Sequence, residues 1–140
     1  MKILVPVDGS PYTKRMLAYL AAHDEWLVRG NSFTVVNAVS PVPPRASAVL
    51  DKALLKSYYD DEAEKVFKPI RTFFKRQGIE ASYVSKVGAA AEAIATTADK
   101  GDFDLLVMGS HGHSTLGNLV MGSVATKVMA HCKTPVLLVR

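Results

Sequence analysis

Residues Leu105 to Val124 read LLVMGSHGHSTLGNLVMGSV, and this stretch decides the fold. The apolar run Leu105–Met108 suits a short buried strand, and Gly109 ends it. Gly112 follows, then Gly122-Ser123, giving the spacing G-x2-G-x9-G-S. From Ser123 a helical pattern runs on with no proline before Pro135. Strand, glycine loop and helix start together make a phosphate cradle. Glycines let backbone N–H groups come close to an anion, and the positive end of the helix dipole faces it. A bound nucleotide is therefore expected. The hydroxyls of Ser110, Ser114 and Thr115 are further candidate donors to phosphate oxygens. The spacing matches neither a Walker A loop nor G-x-G-x-x-G.

Outward from this stretch, strands and helices alternate. Lys2–Val7 (KILVPV) reads as a buried strand, and Ser10-Pro11 opens a helix as N-cap and first helical residue. That helix is expected to carry Met16, Leu17, Leu20, Ala21 and Leu27 and to stop at Gly30. Ser32–Val39 is the second strand, and the prolines of Ser40–Arg45 mark a loop. Residues 46–77 have helical spacing, with Pro69 expected to kink the helix or split it in two. Ile79–Val87 is a third strand, more polar and so nearer a sheet edge. An alanine-rich helix covers 89–100, strand four 103–108, a helix runs to about His131, and Thr134–Val139 is strand five. This order requires a doubly wound parallel α/β sheet with right-handed crossovers. Ligands in such sheets lie beyond the carboxyl ends of the strands, where the strand order reverses. A flavodoxin-like order and the order 3-2-1-4-5 both put strand one near that point. In the second, Asp8-Gly9-Ser10 meets the glycine loop.

The 140 residues form one domain, 1–140, with 49% hydrophobic residues, enough for a single core. The net charge of +4 is spread without a basic block, so no nucleic-acid partner is expected. No run approaches the roughly 18 apolar residues of a membrane span. The single Cys132 and the absence of a signal-peptide pattern in MKILVPVDGS point to the cytoplasm. Cys132 lies on one helical stripe with Met121, Ala125 and Val128 and reads as a core hydrophobe.

The pattern around Gly109, together with the opening KILVPVDGS and the closing PVLLVR, resembles the universal stress protein family along the whole chain, and its ATP-binding branch in particular. The resemblance implies a Rossmann-like, adenine nucleotide alpha hydrolase-like fold. It would be a single doubly wound five-stranded parallel sheet of order 3-2-1-4-5, with helices on both faces. It also implies ATP as ligand, with Mg²⁺ or Mn²⁺, and a homodimer. By resemblance, Pro6, Val7 and Asp8 would lie against the adenosine and Val39 on the adenine. Met108 and Gly109 would flank the ribose and phosphates. Gly112, Gly122, Ser123 and Val124 would receive the phosphates.

His111 stands where some ATP-binding members carry arginine, so its contribution to phosphate binding would depend on pH. Asp8 has two readings, a helix-entry carboxylate or a ligand to nucleotide-bound metal. His111-x-His113 alone is a weak metal pair, and phosphate hydrogen bonding suits it better. Strand five, at an edge in this order, would pair with a second copy. Gly122→Val is expected to abolish ATP binding with the fold intact.

The role implied is a nucleotide-dependent signalling or stress-response dimer with at most slow ATP hydrolysis. The loop offers no Lys or Arg before Lys127, and phosphoryl transfer needs one in position. Two alternatives stand beside it. One is a ligase- or pyrophosphatase-like enzyme, for which VDGSPYT is a poor match to SGGxDS. The other is a nucleotide-free dimeric interaction module.

Overall fold

The structure, a computed structural model, describes residues 1–27, 30–113 and 120–140. Five parallel strands, β1 (Lys2–Pro6), β2 (Ser32–Val39), β3 (Ala81–Val87), β4 (Leu105–Gly109) and β5 (Val136–Val139), form one sheet in the order β3-β2-β1-β4-β5. The sequence pattern left two strand orders open, and this is the one the family resemblance implied. Ile3, Leu4 and Val5 are fully buried because β1 is covered on both faces, and such a strand must be a continuous apolar run. β3, with four of its residues Ser82, Ser85, Lys86 and Val87 exposed, takes the edge its polarity predicted.

Helices cover both faces. On one side lie α1 (Pro11–Ala22) and α3 (Lys52–Arg76), whose Met16, Leu20, Phe67, Ile70 and Phe74 pack on Ile3, Val5, Phe33 and Val35. On the other lie α4 (Ala90–Gly101) and α5 (Ser123–His131), which bury Ile94, Ala98, Ala125 and Val128 on Leu4, Val36 and Leu106. Cys132 is half-buried at the end of α5 and packs against this second core, in keeping with its hydrophobic stripe.

Three boundaries differ from expectation. The first helix stops at Ala22, where the His23 N–H turns back to Tyr19 and Leu20 carbonyls, and a 3-10 turn, Asp24–Leu27, carries the remaining apolar residues. Within the prolines of the second connection, Pro44–Ser47 forms a one-turn helix, α2, because Pro44 suits a first helical position. The long helix begins at Lys52, capped by Asp51, and runs unbroken through Pro69. Pro69 lies on the exposed face, where water serves the carbonyl that its missing N–H leaves open.

Candidate functional site

The carboxyl ends of β1, β2 and β4 open on one cleft of about 440 Å³, a volume typical of small-ligand sites. The starts of α1 and α5 meet there, with Ala90 at the start of α4 beside them. After β1 the chain turns through Asp8, Gly9 and Ser10 into α1. Asp8 Oδ1 accepts hydrogen bonds from Ser10 N (2.9 Å) and Thr13 Oγ1 (3.0 Å), and the same hydroxyl accepts from Asp8 N (3.2 Å). Ser10 Oγ caps the helix by accepting from Thr13 N (3.4 Å). The helix-entry reading of Asp8 is thus what the fold displays for Oδ1. Oδ2 turns toward the glycine loop, where a Cβ on Gly112 would come within 2.6 Å of it. Glycine at 112 is what lets the two loops approach.

The start of α5 is built in the opposite way. Gly122 is its N-cap and supplies no side-chain acceptor, so among the described residues no cap side chain serves the first N–H groups of the helix, and Gly122, Ser123 and Val124 line the cleft. Gly122 N donates to Ser110 O (2.7 Å), and a Cβ on Gly122 would press on His111 Cα (3.0 Å) and Ser110 O (3.1 Å). The glycine is therefore demanded by backbone against backbone. For Gly122→Val, expected from sequence to leave the fold intact, the added side chain would press on the β4 exit, so a cost in stability is expected beside the loss of binding.

Of the residues singled out in sequence, Pro6, Val7, Asp8, Val39, Met108, Gly109, His111, Gly112, Gly122, Ser123 and Val124 line this one cleft. Ser110 does not. It is buried, its N–H donates to Val139 O (2.8 Å), and its hydroxyl lies 2.9 Å from His111 Nδ1. That hydroxyl braces the loop instead of facing the cleft. Ser114 and Thr115 lie outside the described residues. His111 packs on the Tyr12 ring, with centroids 4.8 Å apart. His113 lies 2.7 Å by Nε2 from the Asp8 carbonyl. A carbonyl only accepts, so Nε2 carries the proton and the histidine clasps the two loops together. That bond takes Nε2 out of both metal and phosphate chemistry. Among the described residues no three His, Cys, Asp or Glu side chains gather as a metal site.

Sequence reasoning missed the far wall. Tyr58, Glu62 and Val66 on α3 face the cleft at i, i+4, i+8 spacing, and Ala90 and Ile94 of α4 close the opposite side. The α3 spacing was present in the sequence, but nothing local tells which face of a long helix turns toward a strand end. The Glu62 carboxylate lies 2.7 Å from Lys65 Nζ, and this bond raises the lysine pKa above its ordinary value. No lysine or arginine lines the cleft among the described residues, whereas Asp8 and Glu62 do.

Comparison with known proteins agrees with this architecture. The model of the universal stress protein family matches residues 1–140. A relative from Thermus aquaticus, the universal stress protein in the QAH/OAS sulfhydrylase 3'region, is 35% identical over 138 residues, covering 99% of this chain and 97% of its own. The solved structure of hypothetical protein MJ0577, from Methanocaldococcus jannaschii, superposes with a TM-score of 0.82 at 26% identity, over 99% of this chain and 94% of that one. The universal stress protein of Archaeoglobus fulgidus, solved in complex with dAMP, has a TM-score of 0.70 at 24% identity, over 100% and 98%. The chain belongs to the universal stress protein family.

Proposed function

We propose that this protein is an adenine-nucleotide-binding universal stress protein, with ATP held in the cleft over β1, β2 and β4. The observation that carries the reading is the uncapped N-terminus of α5 opening on the same cleft as the apolar ends of β1 and β2. The Ser123 and Val124 backbone N–H groups and the Ser123 hydroxyl would take phosphate oxygens with help from the helix dipole, while the Gly122 N–H stays on the Ser110 carbonyl. Val7, Val39 and Met108 would pack on the nucleoside, and Asp8 Oδ2 would hold a ribose hydroxyl or a nucleotide-bound Mg²⁺ or Mn²⁺. The Archaeoglobus relative's dAMP supports an adenine nucleotide as the ligand class. The nucleotide would be retained rather than turned over rapidly, because among the described residues no lysine or arginine lines the cleft to stabilise a transferring phosphoryl group.

The same lack of cationic side chains favours a second reading within the class, a nucleoside monophosphate. Two carboxylates facing the cleft disfavour a polyphosphate unless a cation accompanies it. Calorimetric titration of ATP and AMP, each with and without Mg²⁺, into protein freed of nucleotide tests both readings. One saturable site per chain for ATP with Mg²⁺ supports the first, and tighter AMP binding indifferent to Mg²⁺ supports the second. No binding of either at millimolar concentration overturns both.

The protein would work in the cytoplasm as a homodimer through β5. Its sequence there, VLLV, is apolar and half-buried along an open sheet edge, while the opposite edge, β3, is blunted by Lys86 and two serines. Sedimentation should show a dimer, and a lysine at Leu138 should shift it to monomer.

A further inference from the structure

Asn37 is a buried amide in the floor of the cleft, 5% exposed, on the strand that lies beside β1. Its Nδ2 donates to the Val7 carbonyl at 2.8 Å. Only the amino end of the amide can serve a carbonyl, so this bond fixes which way the group points. Oδ1 is left without a partner among the described residues. Yet no fully buried side-chain polar atom among them goes unsatisfied, so Oδ1 has open surface, and the cleft that Asn37 lines supplies it. A strand position that shares its face with Phe33, Val35 and Val39 would ordinarily hold an aliphatic residue. Here it holds an oriented acceptor, which is costly unless something donates to it.

We propose that Asn37 determines base specificity, with Oδ1 accepting a hydrogen bond from the 6-amino group of the purine. The inference rests on the nucleotide-binding reading above and adds the group that selects the base. Adenine presents an amino donor at position 6, and guanine or hypoxanthine presents a carbonyl acceptor there. Oxygen against oxygen in a buried site is repulsive, so a 6-oxopurine is rejected. A site that hydrogen-bonds a ligand's N–H also discriminates strongly against the analogue lacking it. Val7 and Val39 flank Asn37 with apolar surface for the ring. The Val7 contact makes the amide rigid, so little ordering is needed on binding. The Glu62 carboxylate also lines the cleft, but it is paired with Lys65.

The test is titration of AMP, IMP and purine riboside 5'-monophosphate, which lacks any 6-substituent, into the nucleotide-free protein. The expected result is AMP tighter than both analogues by about tenfold or more, as loss of one buried hydrogen bond predicts. In Asn37→Ala, AMP should weaken by about that factor and the AMP-to-IMP ratio should fall toward one. The comparison of ligands on the wild-type protein needs no variant and decides the question even where Asn37→Ala folds poorly. Equal binding of AMP and IMP to the wild type, or full discrimination surviving in Asn37→Ala, overturns the proposal and leaves the nucleotide site standing. Failure of all three ligands and of ATP to bind overturns the site itself and this proposal with it.

Discussion

Of the helices that start at the cleft, α1 after β1 and α5 after the loop that follows β4 treat their N-termini differently. At α1 the chain satisfies itself, with Ser10 capping Thr13, Asp8 holding Ser10 and Thr13, and Pro11 needing no partner at the first position. At α5 the cap is a glycine with no side chain to offer, and Ser110 takes the one N–H that precedes the helix. The first arrangement spends its dipole on stability. The second leaves donors and dipole available to an anion. The difference teaches that a helix N-terminus becomes a binding site by what the chain omits around it.

The largest effect should come from breaking the open end. Gly122→Val drives a branched side chain into the Ser110–His111 backbone and should cost about 1–3 kcal/mol of stability. Nucleotide titration should show binding lost altogether, and thermal melts a lowered Tm. Next is Asp8→Ala, which leaves the Ser10 N–H and Thr13 hydroxyl without their acceptor, a loss of about 1–3 kcal/mol by denaturant unfolding. It should also remove any dependence of nucleotide binding on Mg²⁺. Two serines then separate the roles. Ser123→Ala should weaken nucleotide binding by about tenfold at unchanged Tm, as one hydrogen bond predicts. Ser10→Ala should cost about 1 kcal/mol of stability as a lost cap, with nucleotide affinity nearly unchanged. Reversal of that pair would erase the distinction between the two helix starts.

The smallest effect lies away from both helix starts, at Tyr83 on the β3 edge. Burial raises its phenol pKa above the ordinary value, and the nearby Arg71 opposes the rise in part. A raised folded-state pKa means the neutral form is favoured in the fold. Its contribution is therefore present below the ordinary tyrosine range and is lost as pH rises through the folded value. Chemical unfolding at increasing alkalinity should show this decline, and Tyr83→Phe should flatten it without touching nucleotide binding.

Much of this was legible in the chain. The runs KILVP and LLVM had to be central strands, since only a strand covered on both faces is apolar at every position. The polar β3 had to lie near an edge, and the glycine spacing located the loop that lines the cleft. The sequence read less well wherever a residue's meaning depended on a distant neighbour. Ser110 looked like a phosphate donor because it follows Gly109, but its hydroxyl belongs to His111. His113 looked like half of a metal or phosphate pair, but its proton belongs to the Asp8 carbonyl, 105 residues away in sequence. Tyr58, Glu62 and Val66 line the cleft from the long helix, and no local signal says which face of it turns toward a strand end.

The sequence by itself determined the fold class, the alternation of five strands with helices, and the loops that end the first and fourth strands. These follow from periodicity and from glycine and proline chemistry, which act over a few residues. Only the tertiary structure decided that the Asp8 carboxylate lies where a side chain at Gly112 would stand, that a side chain at Gly122 would press on the β4 exit, and that Asn37 is locked by Val7 with an acceptor turned to the cleft. Those contacts join residues 30 or more positions apart or turn on ångström-scale packing. Their existence depends on how the crossovers bring the strand ends side by side.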